Sequence, residues 1–136
     1  MKNGVLLNKL QALDEGLAAL LSLGTVSADQ SRGDWKTRRA IERELQIAVE
    51  IVIDVCQRII ALAGQPPSAT AADAVARCVQ LGVLSNADPY RQMVQFRNFI
   101  VHRYENVDVQ ILVDIVNQRL ADFDRFREEV LRYAQH

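Results

Sequence analysis

The stretch Ile47-Ala48-Val49-Glu50-Ile51-Val52-Ile53-Asp54-Val55-Cys56-Gln57-Arg58-Ile59-Ile60 decides the fold. It lies inside a run from Trp35 to Ala63 that contains neither glycine nor proline. Asp34 precedes that run as a helix-capping type, and Gly64-Gln65-Pro66-Pro67 follows it as a stop. A helix of that length reaches about 45 Å at ~1.5 Å per residue. Its middle is apolar on so much of its circumference that two surfaces need covering. The expectation is that other helices of the chain cover one and another subunit covers the second.

Toward the N-terminus, Leu6, Leu10, Leu13, Leu17, Leu20 and Leu21 recur at three- and four-residue steps. That is the stripe of an amphipathic helix from Val5, with Gly24 as its stop. Thr25, Ser27, Asp29, Ser31 and Gly33 form the connection, since their side chains compete with helical backbone bonds. Toward the C-terminus, Ser68 or Thr70 caps a short third helix through Val75, Cys78, Val79 and Leu81. Thr70 and Asp73 are spaced almost as a capping box, and Gly82 ends the helix. Asp88-Pro89 reads as the cap and first residue of a fourth helix, because proline loses nothing where its missing N–H has no helical partner. Asp108 caps a last helix with the stripe Ile111, Leu112, Ile115, Val116, Leu120, Phe123, Phe126, Val130 and Leu131. No stretch alternates as a strand, and there is no repeat or interdomain linker. The prediction is all-α: a single five-helix bundle, one domain over residues 1–136.

The chain has 136 residues, 49% apolar and 24% charged, enough for one real core in a globular domain. Its formal net charge of −1 gives no global basic bias, so a nucleic acid would have to be held by a local patch or by a site assembled from two chains. Cys56 and Cys78 lack zinc or redox spacing and read as reduced, packed thiols, which suits a cytoplasmic protein. The N-terminal apolar run is too short for a signal peptide, and no segment approaches the ~18 apolar residues of a membrane span.

Chemistry concentrates in Arg97-Asn98-Phe99-Ile100-Val101-His102-Arg103-Tyr104, at the C-terminal end of the fourth helix, which holds the only histidine besides the terminal His136. An imidazole moves protons near neutral pH, and a guanidinium keeps its charge and grips phosphate oxygens with a planar fork of donors. That pair suits phosphodiester chemistry. Asn98, four residues before His102, is placed to orient the imidazole, and Arg103 reads either as a phosphate contact or as an outward-facing surface residue. Tyr104, with a phenol pKa of ~10, is a poor base and reads as a hydrogen-bonding or packing residue. On an ideal helix Arg97 and His102 are turned about 140° apart. Either the helix bends or ends near His102, or a second copy completes the site.

Two further features are ambiguous. Asp54 sits in the apolar run, where an unpaired carboxylate is costly, so it reads either as paired with an arginine or a helix terminus or as a solvent-facing, salt-bridged acid. Lys36, Arg38, Arg39 and Arg43 crowd the start of the second helix, where positive charge opposes the macrodipole. They read as a solvated face or as a patch for phosphate or an acidic partner. Paired-histidine or Glu-x-x-His metal spacing, a nucleophile elbow and a glycine-rich phosphate loop are all missing from the sequence.

The pattern Arg97, Asn98, three apolar residues, His102, any residue, Tyr104, on the fourth helix of a small all-helical chain, resembles the HEPN superfamily and within it the HepT-type toxins. The resemblance covers essentially the whole chain. It implies a homodimer with a shared cleft and a metal-independent endoribonuclease of a type II toxin–antitoxin system, with Arg97 and His102 catalytic. An acid at the place of Asp54 would contribute to the catalytic surroundings. It also implies that a minimal nucleotidyltransferase antitoxin, using its own ATP and Mg2+, transfers AMP to Tyr104. A rival reading is a non-catalytic module that holds a nucleotide or positions a substrate for the nucleotidyltransferase, and a third is a structural bundle with a buried histidine.

Overall fold

The computed structural model of the chain describes residues 4–22, 35–102, 114–115 and 117–135. Its helices are α1 (Gly4–Leu21), α2 (Trp35–Leu62), α3 (Ala71–Gln80), α4 (Asp88–His102) and α5 (Leu120–Ala134), and the described residues form no strand. None of these helices is long and apolar enough to cross a membrane.

The 28-residue α2 is the wall against which α1, α3 and α4 pack. Ile41, Leu45, Val49, Val52, Val55, Cys56, Ile59 and Ile60 are buried along it and join one contiguous core with residues of the other four helices. Both apolar sides of α2 are therefore covered within the chain, by α1 on one and by α3 with α4 on the other. α1 contributes Leu6, Leu10, Leu13, Leu17 and Leu20, all buried, while Ile47, Ile51 and Ile53 of α2 stay partly exposed. Leu21, the last residue of the predicted stripe, is instead exposed at the helix end, and Gly24 lies outside the described residues.

Chain direction follows from local bonds. After α2, Gly64 takes φ 77°, and Gln65 N–H reaches back to the Ile60 carbonyl at 3.1 Å, the six-to-one bond that satisfies an orphan carbonyl at a helix end. Gly82 repeats the device after α3 with φ 80° and Val83 N–H on the Cys78 carbonyl at 3.0 Å. Gln57 of α2 holds Ser68 in both directions, accepting from its N–H at 3.1 Å and donating to its carbonyl at 3.3 Å. Arg77 clamps the same turn by donating to the Pro66 carbonyl, the Ser68 hydroxyl and the Gln65 side chain. Of the two predicted caps for α3, Thr70 is the one used, with its hydroxyl accepting from Asp73 N–H at 3.0 Å.

Cys56 and Cys78 are free, buried thiols, with Cys78 Sγ 3.6 Å from the Cys56 carbonyl. Their mutual hydrogen bond, then burial, pushes the Cys56 thiol well above its usual range, which suits a packing role. That contact also fixes where α4 starts: it leaves α3 near the level of Cys56. Eight residues into α4, Phe96 nevertheless lines the same cavity as Leu45, eleven residues before Cys56 on α2. Pro89 lines that cavity too, so the direction comes from the start: Val83 and Leu84 N–H bond the Cys78 carbonyl and begin α4 near Cys56. Its turns then lie beside Val49 and Leu45, seven and eleven residues earlier on α2, so α4 runs back along α2.

α4 begins one residue earlier than Asp88-Pro89 suggested. Arg91 N–H bonds the Ala87 carbonyl at 2.9 Å, which makes Ala87 the cap and Asp88 the first helical residue. The Asn86 side chain takes up the Asp88 N–H at 3.0 Å, relieving Asp88 of the capping task. The last helix differs more. Asp108, Ile111 and Leu112 lie outside the described residues; 114–115 and 117–118 are helical, and the regular element starts only at Leu120. Arg119 stands before it as the cap at φ −114°, ψ −4°, its N–H still on the Ile115 carbonyl at 2.9 Å, and no side chain caps the new start.

α5 closes the bundle through Phe126, whose ring meets Tyr90 of α4 edge-on at 5.4 Å and 70°. Glu129 then accepts from the Tyr90 hydroxyl at 3.1 Å and from the Ser85 hydroxyl at 2.5 Å. Arg127 Nε joins Asp14 Oδ2 of α1 at 2.8 Å. Burial, then the Glu129 carboxylate, holds the Tyr90 phenol above its usual range.

Phe126→Ala removes a fully buried ring and is expected to cost about 3–5 kcal/mol in urea unfolding. Because the folded-state pKa of Tyr90 is raised, its contribution is fully present below pH ~10, the unfolded value, and is lost as pH rises above it. Tyr90→Phe should therefore flatten the fall in stability measured above pH ~10.

Candidate functional site

α4 presents three faces. Pro89, Gln92, Met93 and Phe96 line a cavity of about 220 Å³ together with Leu45 and Val49 of α2 and with Ile115, Arg119, Asp122 and Phe123. Tyr90, Met93 and Val94 are buried, and Arg97 follows Tyr90 and Met93 at seven and four residues, on the same inward face. Arg91, Gln95, Asn98 and Phe99 are exposed, and His102 continues their stripe by position.

Arg97 is half-buried, and its Nε is shut off from solvent with no hydrogen-bond partner among the described residues. A buried donor left unsatisfied costs ~1–3 kcal/mol, so such a group marks a place where an acceptor is missing. A guanidinium in that condition is suited to receive an anion's oxygen. Among the described residues one other guanidinium shares it: Arg38 Nε, two turns before the cavity residue Leu45, is also buried without a partner there.

α4 is an unbroken helix through His102, so the bend that would bring Arg97 and His102 together before that residue does not occur. The two stand about 140° apart around the axis and ~7.5 Å apart along it. The side chain of His102, and Arg103 and Tyr104 entirely, lie outside the described residues. Asn98 is exposed, and Phe99 beside it is 49% exposed, a large apolar side chain next to the motif.

Asp54 takes the solvent-facing, salt-bridged alternative. Its side chain is 61% exposed and lies 3.8 Å from Lys9 Nζ of α1, instead of being buried against an arginine or a helix terminus. The physical reason is a narrow polar seam in the apolar run: Glu50, Asp54 and Arg58 recur every four residues and turn the carboxylate outward. The basic cluster at the start of α2 also divides. Arg43 is exposed, and Arg39 is 60% exposed with its Nη1 3.9 Å from Glu42 Oε2. Arg38 turns inward on the stripe of Leu45 and Val49, as does Glu42, which is 5% exposed. Arg38 was indistinguishable from its neighbours as part of a charged patch; its seven-residue spacing to Leu45 was the available signal.

The family model described as Ribonuclease HepT-like matches residues 13–130. The chain belongs to the HepT-like family. The mRNA nuclease HepT of Shewanella oneidensis is 22% identical to it over 126 residues, 91% of this chain and 94% of that protein. Among solved structures, the tri-AMPylated Shewanella oneidensis HEPN toxin in complex with its MNT antitoxin superposes with a TM-score of 0.87 at 21% identity, covering 96% of this chain and 99% of that one. A toxin–antitoxin structure with AMP-PNP gives 0.84 at 22% identity, over 95% and 98%. The cytosolic Bacillus subtilis protein YutE, of unknown function, gives 0.77 at 16% identity, over 93% and 85%. The all-helical fold of this HepT-like chain is thus that of HEPN toxins.

Replacing Arg97 by Met, which fills similar space without charge, should leave stability in urea unchanged or raise it by about 1 kcal/mol. A loss of ~2 kcal/mol would instead make Arg97 a structural residue. Asp54→Asn should shift stability by no more than ~0.5 kcal/mol, as befits an exposed pair.

Proposed function

We propose that this chain is the toxin of a type II toxin–antitoxin pair and cuts RNA without a metal ion, at a cleft shared by two copies, with Arg97 and His102 as its catalytic residues. The observation that carries the reading is the buried, unpartnered Nε of Arg97, one turn before the helix end that bears His102. The family match and the Shewanella oneidensis relative named as an mRNA nuclease support the chemistry.

In the proposed reaction, the 2′-hydroxyl of the ribose attacks the adjacent phosphorus and the bond to the 5′-oxygen breaks, leaving a 2′,3′-cyclic phosphate and a free 5′-hydroxyl. His102 of one copy takes the proton from the 2′-hydroxyl, and His102 of the other gives one to the departing 5′-oxygen. Arg97 stabilises the charge that develops on the phosphoryl oxygens. RNA is required because DNA lacks the attacking hydroxyl. One copy alone is a poor candidate, since on its unbroken α4 the positions of Arg97 and His102 stand about 140° apart around the axis. Exposed Phe99 offers an apolar contact for the second copy beside the motif. Asn98 would orient the imidazole and Arg103 would add a phosphate contact. Asp54, exposed and paired with Lys9, would act only as a distant charge.

Regulation is proposed to run through Tyr104. A nucleotidyltransferase antitoxin, like the MNT antitoxin bound to the solved tri-AMPylated toxin, would transfer AMP from ATP to the Tyr104 hydroxyl, releasing pyrophosphate. The added phosphate would place negative charge where the RNA backbone must approach. ATP and Mg2+ would serve the partner, and this chain would need no cofactor of its own. Both proteins would work in the cytoplasm.

Purified protein incubated with total cellular RNA in EDTA is expected to produce fragments with 2′,3′-cyclic phosphate ends, and His102→Ala to produce none while keeping its circular dichroism. Absence of cleavage by folded, unmodified wild-type protein would favour a non-catalytic nucleotide-binding module. Treatment with the partner, ATP and Mg2+ should add AMP to wild type and stop cleavage, whereas Tyr104→Phe should stay active and gain no mass.

A further inference from the structure

We infer that Arg38 is a second phosphate-binding residue of the same site, reaching it from α2 while Arg97 reaches it from α4. The inference rests on the ribonuclease reading above and names a residue that the histidine motif does not contain.

The first support is register. The cavity between the two helices has Leu45 and Val49 as its α2 wall and Pro89, Gln92, Met93 and Phe96 as its α4 wall, so the two walls centre on the same level. The helices are antiparallel, and each residue advances ~1.5 Å. Five residues farther along α4 than the wall's centre stands Arg97, level with Glu42, five residues back along α2. One more turn brings α4 to its end at His102, and one more turn back along α2 brings Arg38 to the same level. The second support is direction. Arg38 precedes Leu45 by seven residues and so shares the stripe that faces α4, whereas Arg39 and Arg43 are exposed off that stripe.

The third support is chemical. Arg38 and Arg97 are the two described residues whose guanidinium Nε is buried without a hydrogen-bond partner. Two forks of donors, brought by neighbouring helices to one end of the bundle, form an arrangement that a bridging phosphate would complete. Arginine recognises phosphate oxygens with paired parallel donors, and each such contact releases counterions from the nucleic acid. A chain with a formal net charge of −1 gains local affinity for RNA in this way without a basic surface overall. The ligand assigned to Arg38 is a phosphodiester of the RNA next to the bond that is cut.

The test uses the full-length protein and a 2′-O-methyl RNA oligonucleotide, which lacks the attacking hydroxyl and is not cleaved. Binding is measured across a salt series for wild type, Arg38→Gln and the exposed control Arg43→Gln. Arg38→Gln is expected to weaken binding by about 5- to 10-fold and to reduce the slope of log affinity against log salt by ~1, with the control within about 2-fold of wild type. Equal binding by wild type and Arg38→Gln, or equal loss in both variants, overturns the assignment. Should Arg38→Gln fail to fold, Arg38→Met keeps the apolar stem and is judged by the same numbers. Wild-type cleavage of ordinary RNA is measured alongside: if it is absent, the ribonuclease reading and this inference fall together. If it is present and unaffected by Arg38→Gln, the inference alone falls.

Discussion

Burial of α2 on two sides is the constraint from which the rest of the molecule follows. A 28-residue helix with a broad apolar surface cannot stand in water, and here α1 covers one flank while α3 and α4 cover the other. The connection through Gly64, Ser68 and Gly82 is tight, so α4 has to start near Cys56 and return along α2. That return carries Arg97 and the end of α4 to the level of Glu42 and Arg38. Chemistry-bearing residues more than fifty positions apart in sequence are thereby gathered at one end of the bundle.

That end is built differently from the middle. The middle is sealed by Tyr90, Phe126 and Glu129, an aromatic pair with its hydroxyl satisfied. Toward the end of α4, two guanidinium Nε atoms are buried without acceptors among the described residues. Burying charge without a full set of partners works against stability, and folds tolerate it mainly where a ligand supplies the missing groups. The contrast locates the candidate site by energetics, independently of the histidine motif.

Much of the fold was legible in the sequence because the signals were local. Gly64 and Gly82 ended helices with positive φ, Thr70 capped one, and the leucines of α1 declared their buried face. The failures came where a neighbour decided. Asn86 took over the cap expected of Asp88, and the regular last helix starts only at Leu120, although Ile115 before it still packs on the core. For Asp54 the sequence left two placements open, a buried partner or a salt-bridged surface, and the Glu50–Asp54–Arg58 spacing already favoured the surface. The motif was readable as a string. That Arg97 points inward, and that Arg38 faces the same end from another helix, required the helices to be placed.

The central claim is that one cleft needs the motifs of two copies. Wild-type and His102→Ala chains refolded together in equal amounts pair at random, so only about a quarter of the dimers carry two intact histidines. If the cleft needs both, RNA cleavage per wild-type chain falls to about half, and total activity follows the square of the wild-type fraction. Activity that instead stays proportional to the wild-type fraction would mean that each chain cuts RNA by itself, and the shared cleft would have to be abandoned.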